Sequence, residues 1–121
     1  MRAGFILAGL TNIIGILVCS RGLTNQTLFE LYPEVFGFMG CISVILWGLA
    51  YLAVSTSRPR ALARVFCVEK LVYAATWFYW LQQHGDTLGS LWDKDPLTAF
   101  FFSFYGPLDL AFAAFFVKAS R

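Results

Sequence analysis

Four long apolar stretches, separated by short polar segments, account for most of the chain. The hydrocarbon core of a bilayer is about 30 Å thick, so a helix needs about 20 mainly apolar residues to cross it. The four stretches have about that length and cover residues 3–20, 34–55, 60–82 and 96–117. We therefore predict an all-α, integral membrane four-helix bundle of up-down-up-down topology, with residues 1–121 forming a single transmembrane domain.

Residues typical of helix ends mark several of these boundaries. Pro33 and Pro59 suit the first turn of the second and third spans, where the missing N–H would have no partner in any case. Gly85 suits a left-handed stop after the third span. Asp95 followed by Pro96 predicts the N-cap and the first helical residue of the fourth span.

The connection between the first two spans contains Thr27-Leu28-Phe29-Glu30, which matches a capping box. In that motif the first and fourth side chains bond to each other's backbone N–H. The match predicts a short interfacial helix through Leu31, with an ordinary loop as the equal alternative.

Segments with only positive charges alternate along the chain with segments that also contain carboxylates. Short cytoplasmic segments of membrane proteins are enriched in Lys and Arg. Those residues are the only charges at both termini and in the connection between the second and third spans, whereas the other two connections contain all the loop carboxylates. We therefore predict that both termini are cytoplasmic, in a bacterial inner (plasma) membrane.

Composition supports a lipid environment and weakens other classes of function. The chain is 59% hydrophobic and 13% charged, whereas soluble domains contain about 25% charged residues. Nothing in this composition supports nucleic-acid binding. The three cysteines lie far apart in apolar runs, so no disulfide framework or Cys-x-x-Cys redox pair is predicted.

In size and helix count the chain resembles small multidrug transporters, four-helix disulfide-forming oxidoreductases and DoxX-like proteins. The transporters carry a glutamate in the first span, where this chain has Asn12, and the oxidoreductases need paired cysteines. No residue role is therefore carried over from these families.

Ionisable residues inside predicted spans are the main candidates for a functional site, because they are costly in lipid. Glu69 and Lys70 lie in the third span and Asp109 lies in the fourth. A rise of about 1.5 Å per residue places these charges at one depth, in the cytoplasmic half of the bilayer. Uncharged polar and aromatic residues of the first two spans reach the same layer: Asn12, Trp47 and Tyr51.

Residues three or four apart share a helix face, so Tyr73 and Trp77 lie on the face of Glu69, and Tyr105 lies on that of Asp109. We therefore predict a buried cavity with two carboxylates and aromatic walls. Pro107 removes the backbone bond to Ser103 beside this cavity and predicts a kink or a freed carbonyl group. The predicted ligand-binding set is Glu69, Asp109, Asn12, Tyr73, Trp77, Tyr105, Trp47 and Tyr51. Lys70 and Asp109 are predicted as an ion pair, and a purely structural lock between helices is the alternative role for the whole layer.

Three functions remain open from the sequence. The leading hypothesis is the binding of a small amphipathic, lipid-like or cationic ligand in this cavity. The second is an accessory or structural subunit of a larger membrane complex, and the third is a proton- or cation-coupled transporter acting as a homo-oligomer. An enzyme is not favoured, because no nucleophile and base pair and no metal-ligand spacing is present. No cofactor is predicted, and membrane lipid is the expected environment.

Overall fold

The computed structural model describes all 121 residues, most of which form α-helices, and contains no β-strand. The helices are α1 (Arg2–Cys19), α2 (Gln26–Leu31), α3 (Pro33–Phe36), α4 (Phe38–Ala53), α5 (Arg60–Lys94) and α6 (Pro96–Ala119). The prediction of an all-α fold is therefore confirmed. The chain divides into two compact units, Met1–Arg58 and Pro59–Arg121, and the prediction of one transmembrane domain stays a prediction.

Two of the helices, α1 and α6, are long and apolar enough to cross a membrane, with mean hydropathies of 1.8 and 1.6. The apolar α4 is shorter, at 16 residues. The core helix of a soluble protein can pass the same test, so these helices alone do not establish four spans.

In the first unit, α1 and α4 cross closely at two glycines. A Cβ atom on Gly9 would lie 2.8 Å from the carbonyl oxygen of Gly48, and a Cβ atom on Gly48 would lie 2.8 Å from that of Gly9. Asn12 Nδ2 donates a hydrogen bond of 3.1 Å to the carbonyl oxygen of Val44 beside this crossing. Small residues let the two backbones approach, and the amide then bonds across the contact.

The short helix predicted in the first connection is present as α2, but its N-cap differs from the prediction. Asn25, rather than Thr27, accepts a hydrogen bond from the backbone N–H of Leu28 at 3.1 Å. Asn25 also donates to the carbonyl oxygen of Cys19 at 2.8 Å and is buried, whereas Thr27 is exposed. The end of α1 therefore selects the cap, which a local motif cannot reveal.

The predicted second span is divided in the structure. Pro33 opens the single turn α3, and Gly37, with an extended backbone, separates it from α4. The proline is the first residue of a helix, as predicted, but the long helix begins only at Phe38.

In the second unit, α5 and α6 are antiparallel neighbours joined at Asp95. The predicted start of α6 is confirmed: Asp95 is the N-cap and Pro96 is at the first helical position. The Asp95 carboxylate accepts from the backbone N–H of Thr98 at 3.3 Å and from its hydroxyl at 2.9 Å. This cap is wholly local in sequence, which explains why the pattern identified it.

The predicted helix end near Gly85 corresponds to a kink at which two helices meet within α5. Gly85 itself does not have the predicted left-handed conformation, and the second helix continues to Lys94. The only departure from helical geometry occurs one residue before Gly85, at His84, with φ −133° and ψ 16°. The His84 ring stacks on Trp80 at 5.5 Å, and Leu91 is buried beyond the kink. The segment after the kink is therefore a second helix, which packs through Leu91.

Candidate functional site

Three charged side chains, of which two are buried and Asp109 is partly buried, meet between α5 and α6, and we call Glu69, Lys70 and Asp109 the charge cluster. Lys70 Nζ lies 3.1 Å from Asp109 Oδ1, to which it donates a hydrogen bond, and 4.0 Å from Glu69 Oε2. The side chains of Lys70 and Glu69 are 2% and 5% exposed, and that of Asp109 is 14% exposed. One ammonium group thus lies within ion-pair distance of two carboxylates, in a position where charged side chains are rarely found because it is so little exposed.

The geometry of α5 explains why two consecutive charged residues are both buried. Residues 69 and 70 are about 100° apart around a helix, so both fit on one broad face. Ala63, Phe66 and Ala74 share that buried face. The exposed side of the same stretch is apolar, with Val65, Val68, Leu71 and Val72 each 47% exposed or more.

Aromatic rings cover the cluster at the end nearer the C-terminus of α6. The ring centroid of Phe112 lies 5.7 Å from Lys70 Nζ, within the range of a cation–π contact. Phe66 and Phe116 then pack edge to face, with centroids 5.4 Å apart. The ammonium group is therefore held by a carboxylate on one side and lies near an aromatic ring.

Tyr105, one turn before Asp109, bonds across to α5. Its hydroxyl lies 3.0 Å from Thr76 Oγ1, and Thr76 donates its only hydroxyl proton to the carbonyl oxygen of Tyr73 at 2.6 Å. The Tyr105 hydroxyl must therefore donate to Thr76. Tyr73 itself is half-buried on the same helix face as Glu69.

Trp77 packs into the contact between the two helices. Its indole N–H donates to the carbonyl oxygen of Phe102 at 2.6 Å, and its ring lies so close to Gly106 that a Cβ atom there would overlap it. Trp80 stacks on Phe102 with centroids 4.2 Å apart. Trp77 therefore joins α5 to α6, a role that its predicted position on a cavity wall did not include.

Pro107 does not divide α6, which remains one helix from Pro96 to Ala119. Pro107 is exposed, while its neighbour Gly106 is buried beneath Trp77. A single missing backbone bond is tolerated here within a helix that packs against α5.

The remaining predicted site residues belong to the first unit. Asn12 is buried and bonds to Val44, and Tyr51 is fully buried. Trp47 borders a depression of about 320 Å³ together with Ser43 and Leu46. The second unit brings together the charge cluster, Tyr73, Trp77 and Tyr105, and a single site formed by all eight predicted ligand-binding residues stays a prediction.

Sequence reasoning missed the two glycines of the α1–α4 crossing and the contact of Gly106 with Trp77. A glycine in an apolar helix is a weak signal, because not every such glycine lies at a close contact. Gly15, for example, has no atom within 4 Å of its hypothetical Cβ. Only the register between packed helices shows which glycines lie at a close contact.

The charge cluster has no set of side chains suited to a metal ion. No group of three or more His, Cys, Asp and Glu side chains lies close enough together to hold a metal ion. Searches against protein-family models, curated proteins and solved structures find no match to the chain.

Proposed function

We propose that the chain is an integral membrane protein with four spans, and that its charge cluster binds a small cationic or amphipathic ligand. The distribution of polar and apolar side chains supports the membrane location. Many large apolar side chains are exposed on α1, α4, α5 and α6, while Lys70 and Glu69 are buried. This arrangement is unfavourable in water and favourable in lipid, where polar groups face the protein interior. The same distribution of side chains is present on α5, although its charged residues lower its mean hydropathy.

The charge balance of the cluster carries the proposal of a ligand. Two carboxylates and one ammonium group have a formal charge of −1 when all are ionised. Every Lys and Arg other than Lys70 is exposed, so no second buried side chain of this chain supplies a positive charge. An unbalanced buried charge costs several kcal/mol. One additional positive charge, supplied by a ligand, would neutralise the cluster.

Copurification combined with a double-mutant cycle tests this function. Native mass spectrometry of the protein in mild detergent should detect a bound cationic molecule, and Glu69→Gln or Asp109→Asn should remove it while the protein remains folded. We expect the effects of the two substitutions on stability and on the bound molecule to be strongly non-additive, because both residues belong to one site. Additive loss of stability with no change in bound molecules would contradict ligand binding and favour a structural lock.

The proposed topology makes a separate prediction for variants with one added cysteine, studied in intact cells. The three native cysteines are buried, so a membrane-impermeant thiol reagent added outside should label Asp93→Cys and leave Arg60→Cys unlabelled until the cells are opened. A cysteine replacing Arg121 should behave like the one at Arg60. External labelling at Arg60 would overturn the assignment of the termini to the cytoplasm.

The close packing of α5 and α6 favours a second candidate, an accessory subunit of a membrane complex. The fit of Trp77 against Gly106 and the Lys70–Asp109 ion pair are what a rigid structural hairpin requires. In that case mild extraction should recover the chain in a fixed ratio with another membrane protein, and recovery of the chain alone would argue against it.

A further inference from the structure

The charge cluster already contains a primary alkylammonium group, that of Lys70. Its Nζ donates to Asp109 Oδ1 at 3.1 Å, and the Phe112 ring centroid lies 5.7 Å away. A carboxylate that accepts N–H bonds beside an aromatic ring is suited to a second group of the same kind. From this arrangement, and resting on the function proposed above, we infer that the ligand is a primary alkylammonium that binds Asp109 while Lys70 transfers to Glu69.

The spacing within the cluster makes this exchange short. Lys70 Nζ is 4.0 Å from Glu69 Oε2, so a displacement of about 1 Å brings it to an ordinary N–H···O distance of about 3 Å. Asp109 is then left for the incoming ammonium group. Two carboxylates are then matched by two ammonium groups, and the buried cluster is neutral.

Access to the cluster favours a ligand with an apolar tail. Asp109 has the most exposed side chain of the three, at 14%. Its neighbours Leu108 and Leu110 are exposed apolar residues on the same helix. An alkyl chain in the bilayer can lie along this surface while its ammonium group reaches the carboxylate.

The donor set distinguishes this ligand from other cations. Ca²⁺ takes six to eight oxygen ligands and Mg²⁺ prefers octahedral coordination, whereas the structure brings together no group of three or more metal-ligating side chains. A quaternary ammonium group has no N–H to donate to Asp109. A primary ammonium group supplies both the charge and the hydrogen bonds.

Equilibrium dialysis of decylammonium against the protein in phosphatidylcholine nanodiscs tests the inference, with empty nanodiscs correcting for partition into lipid. We expect saturable binding of one molecule per chain. Asp109→Asn and Glu69→Gln should each weaken it at least tenfold, the first by removing the acceptor and the second by leaving a neutral Lys70–Asp109 pair. Asp93→Asn, an exposed carboxylate on α5, is the matched control and should bind as the wild type does. Decyltrimethylammonium should bind at least tenfold more weakly than decylammonium.

Glu69→Gln keeps the test valid if Asp109→Asn fails to fold, because it leaves the 3.1 Å ion pair between Lys70 and Asp109 in place. Equal binding of the two amphiphiles, or binding unchanged by Glu69→Gln, would overturn the inference. If another cation copurifies with the cluster and decylammonium does not bind, the alkylammonium assignment fails and the proposed function stands. If no cation binds in either experiment, both fail.

Discussion

Replacing Lys70 with methionine is expected to lower the free energy of unfolding by about 3–5 kcal/mol, because it leaves two buried carboxylates without their ammonium group. Methionine keeps most of the side-chain volume, so the loss reports charge rather than a void. The measurement is unfolding in mixed micelles by titration with a denaturing detergent, followed by tryptophan fluorescence. Lys94→Met, at an exposed position on the same helix, is the matched control and should change stability by less than about 0.5 kcal/mol.

A second substitution separates charge from packing. Lys70→Met combined with Asp109→Asn removes one of the two carboxylates and should be more stable than Lys70→Met alone. If Lys70→Met is as stable as the wild type, or if the double variant is the less stable of the two, the charge cluster does not contribute as described.

Replacing Gly106 with alanine is expected to cost about 1–3 kcal/mol, because the added methyl group would overlap the Trp77 ring and force the two helices apart. The matched control is Gly89→Ala on α5, where no atom lies within 4 Å of the hypothetical Cβ. There the higher helix propensity of alanine should stabilise by about 0.5–1 kcal/mol. The same detergent titration measures both variants.

The cause can be checked by repeating Gly106→Ala in a Trp77→Ala background. Without the indole ring, the methyl group has space and its cost should largely disappear. An equal cost in both backgrounds would show that overlap with Trp77 is not the reason for the loss.

The charge cluster was visible in the sequence because charged residues are rare in apolar stretches. Glu69, Lys70 and Asp109 each interrupt such a stretch, and the 3.6-residue period placed Tyr73 and Tyr105 on the faces that contain the carboxylates. Which of the two carboxylates contacts Lys70 more closely depends on how far one helix is shifted along the other. The contact of Trp77 with Gly106 and the stacking of Trp80 on Phe102 determine that shift.

Some helix ends are likewise determined by neighbouring residues in the sequence, and others by tertiary contacts. The cap of α6 was predicted correctly because Asp95, Pro96 and Thr98 supply it within four residues. The predicted end of the third span lies within one residue of the kink at His84, but the second helix that follows it to Lys94 and buries Leu91 was not predicted. The cap of α2 was misassigned because the decisive partner of Asn25, the carbonyl oxygen of Cys19, lies in the preceding helix.

By itself the sequence determined the all-α class, the order of the long apolar helices and the identity of the buried charges. These follow from composition and from periodicity along one chain segment, which act within a few residues. Only the tertiary structure decided the register of α5 on α6, the close approach at Gly9 and Gly48, and the single ammonium group shared by two carboxylates. Each of these depends on contacts between residues more than twenty positions apart or on whether a methyl group fits, and such contacts leave no periodic trace in the sequence.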